Sequence, residues 1–193
     1  MADPFDIDTR PGLPAALRTL VAEFPRPGWE AHPNFGGLVR FWLDRHLTFR
    51  RLTALLDTDT RALIDRSLDP RQFAARLSRF GGMLVGDLHG HHQIEDFQYF
   101  PLLARLEPGI ARGFEMLETD HHALDARLAA FTEAANAVLR PAVDGAGYAA
   151  LREGGAAFAG ELGALNRLLD RHLEDEEDLV VPVILRHGEG RLG

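Results

Sequence analysis

Cysteine and lysine are both missing from this chain of 193 residues, and serine occurs only as Ser67 and Ser78. The lack of cysteine excludes disulfides, cysteine-ligated zinc, iron–sulfur clusters and thiol catalysis. Without lysine the chain has neither a Schiff-base lysine nor a P-loop lysine. Neither serine lies in a Gly-x-Ser-x-Gly nucleophile elbow. The side chains that remain for chemistry are therefore histidine and the carboxylates.

An excess of positive charge and long apolar runs are also absent. The net charge of -8 argues against a nucleic-acid-binding protein, which needs basic side chains to neutralise phosphates. An arginine-rich stretch at residues 40–80 is interrupted by aspartates, a pattern typical of a solvated helix face. No run approaches the roughly 18–20 apolar residues that span a bilayer, and the N-terminus has no signal-peptide pattern. We therefore expect a soluble cytoplasmic protein without nucleic-acid or membrane partners.

A helical period runs through most of the chain from about residue 33, and strand signals are nearly missing. Breakers divide this region into helical segments at about 33–66, 70–106, 109–140 and 146–187. Asp69 is the predicted N-cap of the second segment, and Asp57–Thr60 and Gly81–Gly82 are predicted weak points. Long amphipathic segments with short connections predict an all-α, up-down-up-down four-helix bundle.

The ends of the chain are expected to lie outside this bundle. Residues 1–32 form a predicted N-terminal arm, loose at residues 1–12 and with a short helix at residues 13–24 that ends at Pro25–Gly28. The bundle itself takes residues 33–187, and residues 188–193 are a C-terminal tail. Three roles stay open for the arm: a cap on the bundle, a gate for its site, or a homodimer contact.

One motif occurs twice, as His-x3-Glu-x5-Pro. The first copy contains His91, Glu95 and Pro101, and the second contains His172, Glu176 and Pro182. Residues four apart lie on one helix face, so each copy offers an imidazole nitrogen and a carboxylate oxygen to the same small volume. A single copy is weak evidence, whereas two copies with the same downstream proline indicate a metal site.

Apolar stripes separate inward from outward histidines. The first copy of the motif lies on the stripe Leu84, Leu88, His91, Glu95, Tyr99 and Leu102. Similar stripes surround His46, His121 and His172. The remaining histidines are predicted to lie at the surface or just outside the site: His32, His89, His92, His122 and His187. Midpoints between the inward histidines of consecutive segments fall at or beside the predicted turns, so all four should meet at one height of an antiparallel bundle.

Glu95 and Glu176 make a metal the best explanation of this convergence. A buried carboxylate costs several kcal/mol unless it is paired or bound to a cation. No lysine can pair with these two, and Arg50 is the only obvious arginine near their height. Four imidazoles and two carboxylates in a dry core therefore predict a cation site with nitrogen and oxygen ligands.

Together these residues resemble the hemerythrin-like, or HHE cation-binding, domains over roughly residues 35–187. The resemblance rests on a histidine in the first segment, His-x3-Glu in the second and fourth, and Asp120–Asp125 around His121 in the third. It implies a four-helix bundle that holds two iron ions, with Glu95 and Glu176 as bridging carboxylates. It further implies that His46 and His91 ligate one iron and that His121 and His172 ligate the other. Manganese or zinc also suits this ligand set.

The sequence departs from the oxygen-carrying hemerythrins at two positions. Those proteins have a further ligand histidine where this chain has Asp125, and their last carboxylate would correspond to Glu177. We prefer Glu176, because it stays on the His172 stripe. Asp125, His122, Glu177 and Tyr99 are additional candidates for metal ligands or for residues that support the ligands.

Three functions follow as expectations. The first is a non-catalytic di-iron protein that binds or senses oxygen, nitric oxide or redox state at an open coordination position. The lining expected for that position is Trp42, Phe49, Leu88, Tyr99 and Leu124. The second is a di-iron redox enzyme, of oxidase, peroxidase or nitric-oxide-handling type. The third is a purely structural zinc site.

Overall fold

A computed structural model describes residues 3–145 and 147–192. All regular secondary structure in these ranges is helical, which confirms the all-α prediction. The helices are α1 (Thr19–Glu23), α2 (Gly37–Ile64), α3 (Pro70–Ile94), α4 (Phe100–Leu106), α5 (Ala111–Asp144) and α6 (Tyr148–His187). A π-helical turn, Glu95–Tyr99, joins α3 to α4. Within the described ranges, no helix is long and apolar enough to cross a bilayer.

The predicted weak points do not break their helices. Thr58 and Thr60 donate their hydroxyls to the carbonyls of Ala54 and Leu56, at 2.9 and 2.6 Å, so both threonines are satisfied inside α2. Helix α3 likewise runs through Gly81–Gly82 without interruption. Its predicted N-cap is confirmed, since Asp69 Oδ1 accepts hydrogen bonds from the backbone of Arg71 at 2.9 Å and of Gln72 at 3.1 Å.

The end predicted for the third segment is wrong by about one turn. Helix α5 continues through Pro141 to Asp144, where the sequence predicts a break from Pro141 onwards. Gly145 follows with a φ of 75°, the left-handed conformation that commonly terminates a helix and that glycine adopts without strain. The helix therefore ends at the glycine rather than at the proline. Residue 146, the predicted start of the fourth segment, lies outside the described residues.

Contacts between Cα atoms divide the chain into two compact units, and α2, α3, α5 and α6 contribute to both. Unit 1 comprises Met1–Leu47, His91–Ala123 and Leu168–Gly193, and unit 2 comprises Thr48–Gly90 and Leu124–Arg167. The core of unit 2 includes Phe131 and Phe158, with ring centroids 5.3 Å apart. An ion pair between Arg76 Nε and Asp59 Oδ2, at 2.6 Å, joins α3 to α2 within that unit.

The core of unit 1 includes much of the N-terminal arm. Leu13, Leu17, Leu20 and Trp29 are buried in the same cluster as Phe114 and other side chains of α4, α5 and α6. The loose conformation predicted for residues 1–12 is contradicted at Ile7 and Arg10, which are only 7% and 5% exposed, and residues 1 and 2 lie outside the described residues. The short helix predicted at residues 13–24 is present as a 3-10 turn, Ala15–Leu17, followed by α1.

Candidate metal centre

A widened helical turn carries Glu95. The α-helical ladder of α3 ends at Ile94, and the backbone N–H of Phe100 bonds to the carbonyl of Glu95, five residues back. A π-helical turn contains one residue more than an α-helical turn and is common at functional sites. It shifts the buried face that follows it. Phe100 and Leu103 are 3% and 0% exposed, in place of Tyr99 and Leu102 on the predicted stripe.

The structure brings together the six side chains that the sequence selects. His46, Glu95, His172 and Glu176 are fully buried, and His121 is 2% exposed. His91 is the most accessible of the six, with 10% of its side chain exposed. All six belong to unit 1, where they come from α2, α3 with its π-helical turn, α5 and α6.

The imidazoles form two pairs. In the first pair, His46 Nε2 and His91 Nε2 are 3.2 Å apart. In the second pair, His121 Nε2 and His172 Nε2 are also 3.2 Å apart. Each pair therefore turns its two Nε2 atoms towards one small volume.

Each carboxylate has one oxygen beside each pair. Glu95 places Oε1 2.9 Å from His91 Nε2 and Oε2 3.6 Å from His121 Nε2. Glu176 places Oε1 3.3 Å from His46 Nε2 and Oε2 3.3 Å from His172 Nε2. Both carboxylates thus span the space between the two pairs. Glu176, rather than Glu177, occupies this central position.

In three of the central histidines, the second ring nitrogen, Nδ1, contacts a carboxylate outside the centre. His46 Nδ1 is 3.0 Å from Glu177 Oε1, and His121 Nδ1 is 2.7 Å from Asp96 Oδ1. His172 Nδ1 is 3.3 Å from Asp120 Oδ2. An ionised carboxylate can only accept, so in each case Nδ1–H donates, and in the neutral imidazole Nε2 is then the nitrogen with the lone pair. That lone pair is the one a metal needs, and outer carboxylates of this kind orient metal-bound histidines.

Trp42 and Tyr99 form the aromatic border of the centre. Trp42 Nε1–H donates to Glu176 Oε1. The Trp42 ring makes edge contacts with His91 and Tyr99, with centroids 6.1 and 4.9 Å apart. Tyr99 is therefore placed as a neighbour of Trp42 in this aromatic border.

His92 is buried, which excludes the surface position that the helix wheel allowed for it and leaves the position just outside the site as a prediction. It is expected at the surface or just outside the site, yet it is only 3% exposed. Its ring stacks on His121, with centroids 3.9 Å apart and 10° between the planes. One His92 ring nitrogen lies within 4.8 Å of ligand atoms of both His121 and His172. The sequence contains a clue to this position. His91 and His92 precede Glu95 by four and three residues, and residues at both spacings share a helix face with Glu95.

The remaining additional candidates differ in their distance from the centre. His122 is exposed. Asp125 is half exposed and lies 3.8 Å from His89 Nδ1 in unit 2. Glu177 is 4% exposed, and besides contacting His46 it accepts a hydrogen bond of 2.6 Å from Arg26 Nη1. Of the predicted lining, Phe49, Leu88 and Leu124 are fully buried but belong to unit 2, so their contact with the centre stays a prediction.

Electrostatics at the centre call for added positive charge. Burial, together with the nearby Glu176, holds the pKa of Glu95 well above its usual range. Burial acts in the same direction on Glu176, but the surrounding histidines outweigh it and hold the pKa of Glu176 well below its usual range. Burial lowers the pKa of His91 to about 3. Burial also opposes protonation of His172, yet the nearby carboxylates of Asp120 and Glu176 raise its pKa to about 9. Two carboxylates that face each other in a buried space repel when both are ionised, and positive charge between them would offset that repulsion.

The buried oxygen atoms fit a cation. Within the described residues, both oxygens of Glu95 and Oε2 of Glu176 accept no hydrogen bond, although all three are buried. The 2.9 Å approach of His91 to Glu95 does not have hydrogen-bond geometry. Leaving carboxylate oxygens buried and unpaired is costly, whereas a cation offsets that cost. The donor set of imidazole nitrogens and carboxylate oxygens suits iron, manganese or zinc.

These features define an all-helical protein whose buried histidines and glutamates can hold a metal ion. The family model of the hemerythrin HHE cation-binding domain matches residues 37–184. Because this match covers most of the chain, the protein belongs to the hemerythrin HHE cation-binding domain family, which confirms the resemblance seen in the sequence. No match was found among curated proteins or among solved structures.

Proposed function

We propose that the protein is a non-heme di-iron protein in which Glu95 and Glu176 each bridge two iron ions. The observation that carries this proposal is the position of each carboxylate, with one oxygen beside each histidine pair. A single metal ion would not need two separate imidazole pairs with both carboxylates between them. His46 and His91 would hold one iron, and His121 and His172 would hold the other.

The same convergence supports an up-down-up-down order of the four long segments. Each inward histidine lies on a different segment, and the four meet within unit 1. If consecutive segments run antiparallel, residues equidistant from a turn lie at one height. In the sequence, the midpoint between the inward histidines of consecutive segments falls at or beside a predicted turn, as this arrangement requires. We therefore retain the four-helix bundle as part of this proposal.

Bound iron would supply redox chemistry and open coordination positions for a small ligand such as oxygen or nitric oxide. The chain contributes the rest. Two imidazoles and two carboxylate oxygens per ion leave room for a further donor around a six-coordinate metal. Asp96, Asp120 and Glu177 keep the imidazoles in the tautomer that binds metal. These properties favour a protein that binds or senses oxygen, nitric oxide or redox state.

Metal content and valence of anaerobically purified full-length protein test this proposal. We expect about two iron ions per chain and a near-ultraviolet or visible absorption band that changes on exposure to oxygen. The variant His46→Ala should lose iron, whereas His89→Ala, which removes an exposed histidine, should not. Folded protein that contains almost no iron after expression with added iron would contradict the proposal. Zinc without any redox-dependent band, and with a melting temperature that falls on chelation, would instead indicate a structural site.

A di-iron redox enzyme is the second candidate, and the contact between Trp42 and Tyr99 is the observation that favours it. Trp42 bonds to the central Glu176, and Tyr99 packs against Trp42 while remaining partly exposed. This arrangement places an oxidisable phenol close to the centre. Steady consumption of peroxide or oxygen that His91→Ala abolishes, with the fold retained, would favour the enzyme over the binding protein.

A further inference from the structure

We propose that His92 is a third imidazole ligand at the second metal position, the position formed by His121 and His172. This inference rests on the proposed function, because it concerns how the same centre holds its second ion. With His92 the two positions are unequal. The first has two imidazoles beside the bridging carboxylates, and the second has three.

The position of His92 supports ligation directly. A ring nitrogen of His92 lies within 4.8 Å of ligand atoms of His121 and His172, so the three histidines form a group that can hold an ion. The His92 side chain is almost fully buried, and neither of its ring nitrogens has a hydrogen-bond partner within the described residues. A neutral imidazole has one donor and one acceptor nitrogen, and leaving both unpaired in the interior is costly. A metal ion would satisfy the acceptor nitrogen.

The geometry of α3 explains how adjacent histidines serve different ions. His91 and His92 precede Glu95 by four and three residues, so both lie on the turn before it. Neighbouring residues on a helix are separated by about 100° around its axis. His91 consequently meets His46 of α2, whereas His92 meets His121 of α5 and His172 of α6. The last turn of α3 thereby supplies an imidazole to each position, and the π-helical turn that follows it supplies a carboxylate to both.

Asp125 is the other residue considered as an extra donor near the second position. It lies one turn after His121 on α5, but its side chain is half exposed and close to His89. His92 instead points its ring at the histidines of the second pair. The structure therefore favours a nitrogen ligand from α3 over an oxygen ligand from α5.

Packing against His121 is the competing explanation for His92. The His121 ring stacks on His92 and also on Phe100, with a centroid distance of 5.6 Å to Phe100. A packing role needs a bulky side chain, but it does not need a nitrogen atom. Leucine at this position would preserve bulk and remove both nitrogens, so His92→Leu separates the two explanations.

Co²⁺ titration of the metal-free full-length protein, without oxygen, provides the test. The visible spectrum of Co²⁺ reports both the number of bound ions and the nature of their ligands. We expect wild-type protein to bind two ions. His92→Leu should retain one binding step unchanged and weaken the other at least tenfold. The control His89→Leu, which replaces an exposed histidine on the same helix, should match wild type in both steps.

Two results would overturn the role of His92. In the first, His92→Leu binds both Co²⁺ ions with the affinity and spectrum of wild type. In the second, His92→Leu weakens both binding steps equally. If His92→Leu does not fold, His92→Ala with free imidazole decides the question. Imidazole should restore the weakened step in His92→Ala, and an absence of any response would count against ligation. Folded wild-type protein that binds no Co²⁺ would contradict the proposed di-metal function itself.

Discussion

At the scale of single residues, the outer carboxylates determine what the central histidines can do. Asp96, Asp120 and Glu177 each face the Nδ1 atom of a central histidine, at 2.7 to 3.3 Å. Each contact selects the tautomer whose Nε2 lone pair points into the centre. Sequence reasoning selected the central residues from apolar stripes. It assigned Asp96 to a flank rotated away from the centre, because a wheel shows the direction of a side chain but not the partner that it meets.

Asp96→Asn should therefore weaken metal binding without unfolding the protein. Asp96 lies 2.7 Å from His121 Nδ1 and is 23% exposed, so its substitution removes the charged acceptor and leaves no buried charge behind. We expect about 10–100-fold lower affinity for iron or Co²⁺, as is usual for loss of an outer contact of a metal ligand. Competition with a chelator of known affinity measures the change. Asp125→Asn is the matched control, and an equal loss of affinity in that variant would contradict the placement of Asp125 outside the centre.

At the scale of elements, the π-helical turn changes which residues of the following helix are buried. An uninterrupted α-helix would place Tyr99 and Leu102 on the face of His91 and Glu95, as the sequence predicts. The extra residue of the π-helical turn instead buries Phe100 and Leu103. Glu95–Tyr99 contains neither glycine nor proline, but Pro101 follows it, and proline has no backbone N–H to continue the α-helical hydrogen bonds.

The end of α4 is tied to the end of α6 through Glu107, and this contact should make stability depend on pH. Burial raises the pKa of Glu107, but hydrogen bonds from His187 and Arg186 outweigh it and hold the pKa below its usual value. A carboxyl group with a lowered pKa in the folded state stabilises the protein above its unfolded-state pKa, and the stabilisation is lost as the pH falls through the folded value. Glu107→Gln should therefore lower the free energy of unfolding at pH 7. The deficit should shrink below about pH 4.3, the usual pKa of a glutamate.

Urea unfolding of wild type and Glu107→Gln across a pH series measures this difference. Glu133→Gln, which changes an exposed glutamate of α5, serves as the control and should follow wild type at every pH. A deficit for Glu107→Gln that stays constant down to strongly acidic pH would show that the carboxylate charge is not responsible.

At the scale of the whole molecule, the N-terminal arm is part of the structure that surrounds the centre. Arg10 donates to Asp175 at 2.7 Å and to Asp120, and all three side chains are buried. Asp120 in turn contacts the central His172. The arm is thereby linked to a metal-ligand candidate through one intervening carboxylate. The sequence left its role open, because residues 1–12 have no periodicity that reveals a partner more than a hundred positions away.

Arg10→Met should destabilise the protein strongly. Removing one member of a buried ion pair leaves the other charge uncompensated, which typically costs about 3–5 kcal/mol. Here both Asp120 and Asp175 would lose their contact with Arg10. Asp175 would still contact Arg171 at 2.6 Å. Chemical unfolding of the metal-free protein measures the cost. Arg112→Met, which alters an exposed arginine of α5, is the control, and an equally small effect of both substitutions would contradict the structural role of Arg10.

The sequence by itself determined the helical class, the N-cap at Asp69 and the six side chains that the structure brings together in unit 1. These features follow from local rules, because helical periodicity specifies which residues share a face and turn residues specify where a helix ends. The tertiary structure decided the inward position of His92, the shift after the π-helical turn and the burial of Arg10. Each of these depends on which face of a distant segment a side chain meets. That choice is made by packing and by the pairing of buried charges, and neither is encoded in local periodicity.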